Sequence, residues 1–376
     1  YVEGDRLGAT GIERAWESYL RGTRGWQKVL VDAKGKRRPG GDGIIEEPAR
    51  VDPIPGRDLR LTLDADIQKA IDKAMRPELA GGVALIDVRS GRILGLYSKP
   101  SYDPNALSGG SGKQVIRDAF RRLYSDPLKP SIDKTLSGAY PPGSTFKPFT
   151  ALAALEKGLI DSRSTSQCKG ALTFGKRTFR CTHVHGITDM HKAIAESCNV
   201  YFYRLAAEYG VGMDVIAEMG QRFGLGAKTG LGINAEASGR MPTRAWMTLR
   251  NKGQYRLGYG LNAAIGQGAT TVSVMQLALA YAALANGGTL FQPQIVRAVE
   301  TSAGTVVQEF TPRVRRQIDI RPDNYAAVRK ALTAGVNEVT GTAYEARLAG
   351  VEIAGKTGTA QAVSYTHLTL PTNREV

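Results

Sequence analysis

Residues 140–159 read YPPGSTFKPFTALAALEKGL, and the remainder of the chain can be interpreted by what this stretch requires. Pro141, Pro142 and Gly143 signal a turn that delivers Ser144 to the start of an amphipathic helical run, with Lys147 three residues on and on the same face. Backbone N–H groups and the dipole at a helix N-terminus favour developing negative charge, and a desolvated lysine can take a serine proton. The pattern therefore predicts a nucleophilic serine.

Outward from this stretch, 144–157, 189–209, 212–223, 272–285 and 322–338 carry helical patterns. Before them, VALIDV and RILGLYS form a hairpin around Arg89-Ser90-Gly91. A strand and then a helix capped by Asp64 precede the hairpin. Near the end, 351–363 reads as a strand through Gly355 and Gly358. Strands, a long helical insertion and a returning strand predict an α+β domain whose helices pack on a mostly antiparallel sheet. The first 60 residues read as a small β-rich module, with a capping box at Thr10 and Glu13 and strand-like residues at 29–31.

The chain of 376 residues has a net charge of +15, which favours anionic partners but does not choose among them. No zinc-finger, helix-turn-helix or RNA-binding signature accompanies the basic runs, so no nucleic-acid partner is expected. No apolar run reaches the length of a membrane span, and the opening YVEGDRLG reads as the interior of a longer protein.

Serine followed three residues later by lysine occurs at 131–134, 144–147 and 166–169, and Lys-Thr-Gly occurs at 228–230 and 356–358. Only Ser144 sits behind a Pro-Pro-Gly turn and before a long apolar run. The second Lys-Thr-Gly lies on the predicted strand, where Gly358 would admit a substrate backbone at the sheet edge. With Ser197-Cys198-Asn199 between them, SxxK, SxN and KTG appear in order with room for a helical domain.

These motifs, together with TLDADIQKA at 62–70, the 86–105 hairpin region, LSGAYPPGSTFKP at 136–148, the 259–288 segment and GIERAWESYLRG at 11–22, resemble the class B penicillin-binding proteins, in particular their elongation-type branch. The resemblance covers nearly all of residues 4–361. It implies a partial N-terminal pedestal or dimerisation domain at 1–60 and a serine acyl-transferase domain of the β-lactamase-like kind at 61–361. It further implies a D,D-transpeptidase that crosslinks peptidoglycan stem peptides through an acyl-enzyme, with release of D-Ala and inhibition by β-lactams. Ser144 would be the nucleophile, Lys147 its base, and Ser197 with Lys356 a proton relay to the leaving amine. Asn199 would hold the donor amide, the N–H groups of Ser144 and Thr359 the oxyanion, and Thr357, Gly358 and Thr359 the terminal carboxylate end of the substrate. The implied setting is periplasmic, with a membrane anchor upstream of residue 1, and the implied partners are the lipid-linked precursor polymer, a SEDS-family glycosyltransferase and elongation scaffold proteins. A D,D-carboxypeptidase, a β-lactamase or a non-catalytic scaffold would share parts of this pattern.

All three cysteines, Cys168, Cys181 and Cys198, fall with His185 in one short segment. Three thiolates and an imidazole can close a structural zinc site, a feature that the resemblance also implies, with His183 an alternative ligand. A Cys168–Cys181 disulfide and buried free thiols remain open readings. After Gln361 the text AVSYTHLTLPTNREV departs from the resemblance, so 362–376 is expected to be a non-native tail whose presence leaves the transpeptidase domain incomplete.

Overall fold

The computed structural model describes residues 7–36, 50–107 and 112–360. Its centre is the helix Lys147–Glu156, in which every residue from Lys147 to Leu155 is buried. The expected amphipathic face is absent because the helices Met190–Ala195, Asn199–Ala207, Met213–Arg222 and Pro322–Asn337 pack around it. A helix enclosed on all sides is apolar all round. Phe149 anchors it, its ring meeting Phe223 at 5.0 Å and Tyr281 at 5.6 Å in edge-on contacts.

The helical pattern at 189–209 divides into two helices, with Glu196 to Cys198 between them. Ser197 has φ of 58°, a left-handed conformation that a continuous right-handed helix cannot contain. The patterns at 212–223, 272–285 and 322–338 form Met213–Arg222, Val274–Ala285 and Pro322–Asn337. Helices Lys113–Ser125, Arg244–Arg250 and Gly258–Ala264 were not expected.

Every ladder between the described strands is antiparallel. The hairpin Gly81–Ile86 with Ile93–Lys99 turns where Asp87 accepts from the Ser90 hydroxyl and the Arg89 N–H. A three-stranded sheet orders Val306–Glu309, Val296–Glu300 and Asp58–Leu61. Thr62 joins sheet to hairpin, its N–H donating to the Ile295 carbonyl at 2.8 Å and its hydroxyl to the Ile93 carbonyl at 2.7 Å. The Asp64 carboxylate caps the helix Ala65–Ala74 as expected. The molecule is α+β, but its sheet is distributed over several short ladders.

The expected strand at 351–363 does not form over its described part. Val351 makes a lone bridge to Leu348, and 352–360 runs without a ladder. The segment lies along Pro322–Asn337, held where Gly355 N–H donates to the Leu332 carbonyl and the Asn337 amide donates to the Ile353 carbonyl. A helix has few free backbone groups to lend, so extended chain beside it gains no strand partner. The expected tail at 362–376 lies outside the described residues.

At the N-terminus, helices Gly11–Ala15 and Glu17–Leu20 form, but the Thr10 side chain makes no capping bond. The small ladder pairs Trp26–Gln27 with Arg50–Val51, ahead of the expected 29–31. Trp16 docks this segment edge-on against Phe310 at 5.3 Å, and the Tyr19 hydroxyl donates to Gln308. Among the described residues no helix is long and apolar enough to cross a membrane.

Candidate active site

Three backbone segments meet at Ser144. Gly143 has φ of 57°, and a Cβ there would lie 2.5 Å from the Thr359 carbonyl oxygen. Gly266 has φ of 67°, and a Cβ there would lie 2.4 Å from the Gly143 carbonyl oxygen. Glycine is required at both positions for conformation and for close approach. The turn ends in the single 3-10 turn Gly143–Phe146, which runs directly into the helix Lys147–Glu156. The Ser144 N–H in that first turn has no intrahelical partner and lies at the positive end of the peptide dipoles. Ser144 is half-buried and lines a cavity of about 600 Å³.

Lys147 lies beneath that cavity with 0% of its surface exposed. Its Nζ donates to the Ser197 carbonyl at 2.6 Å and to Asn199 Oδ1 at 2.7 Å, and lies 3.1 Å from Ser197 Oγ. Burial, then the nearby charge of Lys356, bring its pKa down to about 7, against an opposing pull from Cys181 and Cys198. A neutral amine has two N–H donors for the two carbonyl-type acceptors and retains a lone pair for a hydroxyl proton. The arrangement can therefore hold Lys147 as a base.

The left-handed Ser197 turns its carbonyl to Lys147, and both Ser197 and Asn199 line the cavity. The Asn199 side-chain amide donates to the Arg180 carbonyl, and its backbone N–H to Cys181 Sγ at 3.1 Å. Thr357 and Thr359 line the same cavity. Gln267, inside the 259–288 segment but with no role expected from the sequence, donates to the Thr359 carbonyl at 3.2 Å. Thr342, which carried no sequence signal, shares a 2.8 Å hydroxyl contact with Thr357. Gly358 packs on Thr145, where a Cβ would lie 2.7 Å from its methyl carbon. Burial lowers Lys356 to a pKa of about 8, and its Nζ donates to the Thr357 carbonyl and hydroxyl. The expected relay contact between Lys356 and Ser197 is not made in this arrangement.

The decoy motifs go elsewhere. Lys134 donates to the Lys129 carbonyl in a turn, and Ser166 begins the strand Ser166–Cys168. At 228–230 the N–H groups of Thr229 and Gly230 and the Thr229 hydroxyl donate to one oxygen of Glu236, with the Gly232 N–H on the other. The Lys-Thr-Gly at 228–230 thus binds an internal carboxylate.

Cys168, Cys181 and Cys198 are free thiols, arranged about one imidazole. His185 Nδ1 lies 3.4 Å from Cys168 Sγ and 3.5 Å from Cys181 Sγ, and the Cys181 and Cys198 sulfurs are 3.9 Å apart. All four donor atoms lie within 4.8 Å of one another. Tetrahedral zinc, with Zn–S near 2.3 Å, places sulfurs roughly 3.8 Å apart, so the donor set fits. The sulfur contact with Cys198 and the backbone N–H groups of Val200 and Asn199 hold the Cys181 thiol well below its usual range, against the effect of burial. This favours the thiolate that metals bind. His183 presents its carbonyl to Cys168 Sγ and lines the cavity, and it is not among the four converging donors.

Residues 81–373 match the penicillin binding protein transpeptidase domain, and 1–61 the penicillin-binding protein dimerisation domain. The chain is 32% identical over 368 residues to a peptidoglycan D,D-transpeptidase MrdA of Acinetobacter baumannii, covering 97% of this chain and 52% of the relative. It is 34% identical over 372 residues to the MrdA of Salmonella typhimurium, covering 97% of this chain and 57% of the relative. The chain thus spans about half the length of the curated relatives it matches. Among solved structures, Pseudomonas aeruginosa PBP2 in complex with WCK 5153 superposes with a TM-score of 0.78 at 32% identity, over 95% of this chain and 73% of that one. Helicobacter pylori PBP2 in complex with MreC gives 0.77 at 27%, over 94% of this chain and 62% of that one.

Proposed function

The chain belongs to the penicillin-binding protein transpeptidase family, and from that premise we propose that it is a peptidoglycan D,D-transpeptidase of the elongation type whose nucleophile is Ser144. The observation that carries the assignment of roles is the buried Lys147 amine, tied to both Ser197 and Asn199 one helical turn from Ser144. Ser144 Oγ attacks the carbonyl between the last two D-alanines of a stem peptide, its proton passing to neutral Lys147. The N–H groups of Ser144 and Thr359 receive the oxyanion, and D-Ala leaves as an amine that takes up a proton. Ser197 and Lys356 would carry that proton, Lys356 after turning from Thr357. Thr357, Gly358 and Thr359, with the Lys356 charge, hold the terminal carboxylate, and Asn199 the donor amide. An acceptor amine then displaces Ser144 from the acyl group and forms the crosslink.

Cys168, Cys181, His185 and Cys198 would hold zinc. Its contribution there is structural, fixing the segment that carries Ser197 and Asn199 on either side of Cys198. Residues 1–60 would act as the pedestal and 61–361 as the catalytic domain, on the periplasmic side of an inner-membrane anchor. By analogy with the complexes of its neighbours, the protein would work beside a glycan polymerase and an MreC-like scaffold. A fluorescent penicillin tests the core of this reading: the protein labels covalently and Ser144→Ala does not. Persistent labelling of the alanine variant would overturn the assignment.

A further inference from the structure

Resting on this acyl-transfer reading, we propose that Glu196 is the docking group for the ammonium of the acceptor strand. Glu196 closes the helix Met190–Ala195, directly precedes Ser197 and lines the same cavity as Ser144. It is the one carboxylate among the described residues around that cavity, whose other lining groups are hydroxyls, amides, imidazoles and apolar side chains. Its side chain is 19% exposed, and among the described residues no hydrogen bond reaches its oxygens. Lys192 approaches only to 4.0 Å, because its Nζ is committed to the His185 carbonyl at 2.8 Å. A half-shielded carboxylate with a loose partner has unmet capacity for a cation.

The two substrates need opposite electrostatics. The donor ends in a carboxylate, matched by Lys356 and the threonines, whereas the acceptor brings a primary ammonium into a cleft that already holds the Lys356 cation beside Thr357. Glu196 offsets that repulsion and holds the acceptor beside the acyl-enzyme. One ammonium proton goes to solvent, the nitrogen lone pair forms the C–N bond, the ester C–Oγ bond breaks, and a second N–H proton returns to Ser144 Oγ. Glu196 touches the acceptor's cation and makes no bond in the step.

The test uses a thioester donor and measures how the acyl-enzyme partitions between glycinamide and water. Glu196→Gln lowers the aminolysis-to-hydrolysis ratio at subsaturating glycinamide about tenfold, through a higher apparent acceptor KM, whereas penicillin acylation changes by less than about twofold. Added salt lowers the ratio in the unsubstituted protein and leaves the glutamine variant flat. Glycolamide, a neutral hydroxyl acceptor, partitions equally with both proteins, and Glu196→Asp partly restores aminolysis. An unchanged ratio overturns the proposal, as does an equal fall in penicillin acylation, glycolamide transfer and aminolysis, which marks a structural role. Failure of penicillin to acylate the unsubstituted protein overturns the transpeptidase reading itself.

Discussion

Lys147 unites an ionisable amine with complete burial, and its neighbours decide which protonation state is useful. As an ammonium it would add a buried charge close to Lys356, and desolvation is the larger of the two costs. Its pKa of about 7 lies below the ordinary lysine value, so the neutral base becomes the major form as pH rises through 7. Lys356, near 8, loses the charge that complements a substrate carboxylate as pH rises through that value. Acylation by penicillin is therefore expected to climb about tenfold per pH unit below 7 and to decline above 8, as read from labelling time courses. Lys147→Arg, which cannot deprotonate, should cut the rate at pH 7.5 by at least about 100-fold. A flat profile between pH 5.5 and 9 would remove Lys147 as the base.

Among the elements, the segment from Ser166 to Asn199 connects the sulfur cluster to the reactive centre. Cys168 ends the strand Ser166–Cys168, Cys198 starts the helix Asn199–Ala207, and the Asn199 N–H rests on Cys181. Cys168 touches no group assigned to chemistry, so its replacement separates bracing from reactivity. Protein prepared without chelator should carry about one zinc per chain by metal analysis. Cys168→Ser should reduce that content, lower Tm by roughly 5 °C and slow penicillin acylation. Well under stoichiometric zinc in the unsubstituted protein would sink the metal assignment and leave a cluster of buried thiols. Element boundaries were legible where local chemistry sets them, as with the Asp64 cap and the Asp87 turn. They were illegible at Ser197, because its left-handed backbone is held by long-range contacts with Lys147.

Across the whole molecule, the N-terminal segment is fastened through an aromatic seam. Trp16 packs between Tyr19 and Phe310, and Tyr19 reaches Gln308. Trp16→Ala should cost about 2 kcal/mol in denaturant unfolding, while penicillin acylation stays within about twofold because none of these residues lines the Ser144 cavity. A larger loss of acylation than of stability would show that the seam communicates with the active centre. The helix Lys147–Glu156 was expected to show one polar face; the surrounding helices leave it none.

By itself the sequence determined the family, the α+β class, most helices and the order of SxxK, SxN and KTG, because these depend on residue type at short spacing. It also placed three cysteines and a histidine close enough along the chain for a shared site to be worth asking about. The preference for the Lys-Thr-Gly at 356–358 over that at 228–230 was legible in its sequence context, and the tertiary structure adds that Glu236 occupies the Thr229 and Gly230 groups of the other. Only the tertiary structure left residues 352–360 without a ladder and brought Glu196 to the cavity, and it sets His185, the ligand already preferred to His183, among the three sulfurs. Each of these outcomes depends on groups distant in sequence competing for the same donors, charges or space, which no local pattern records.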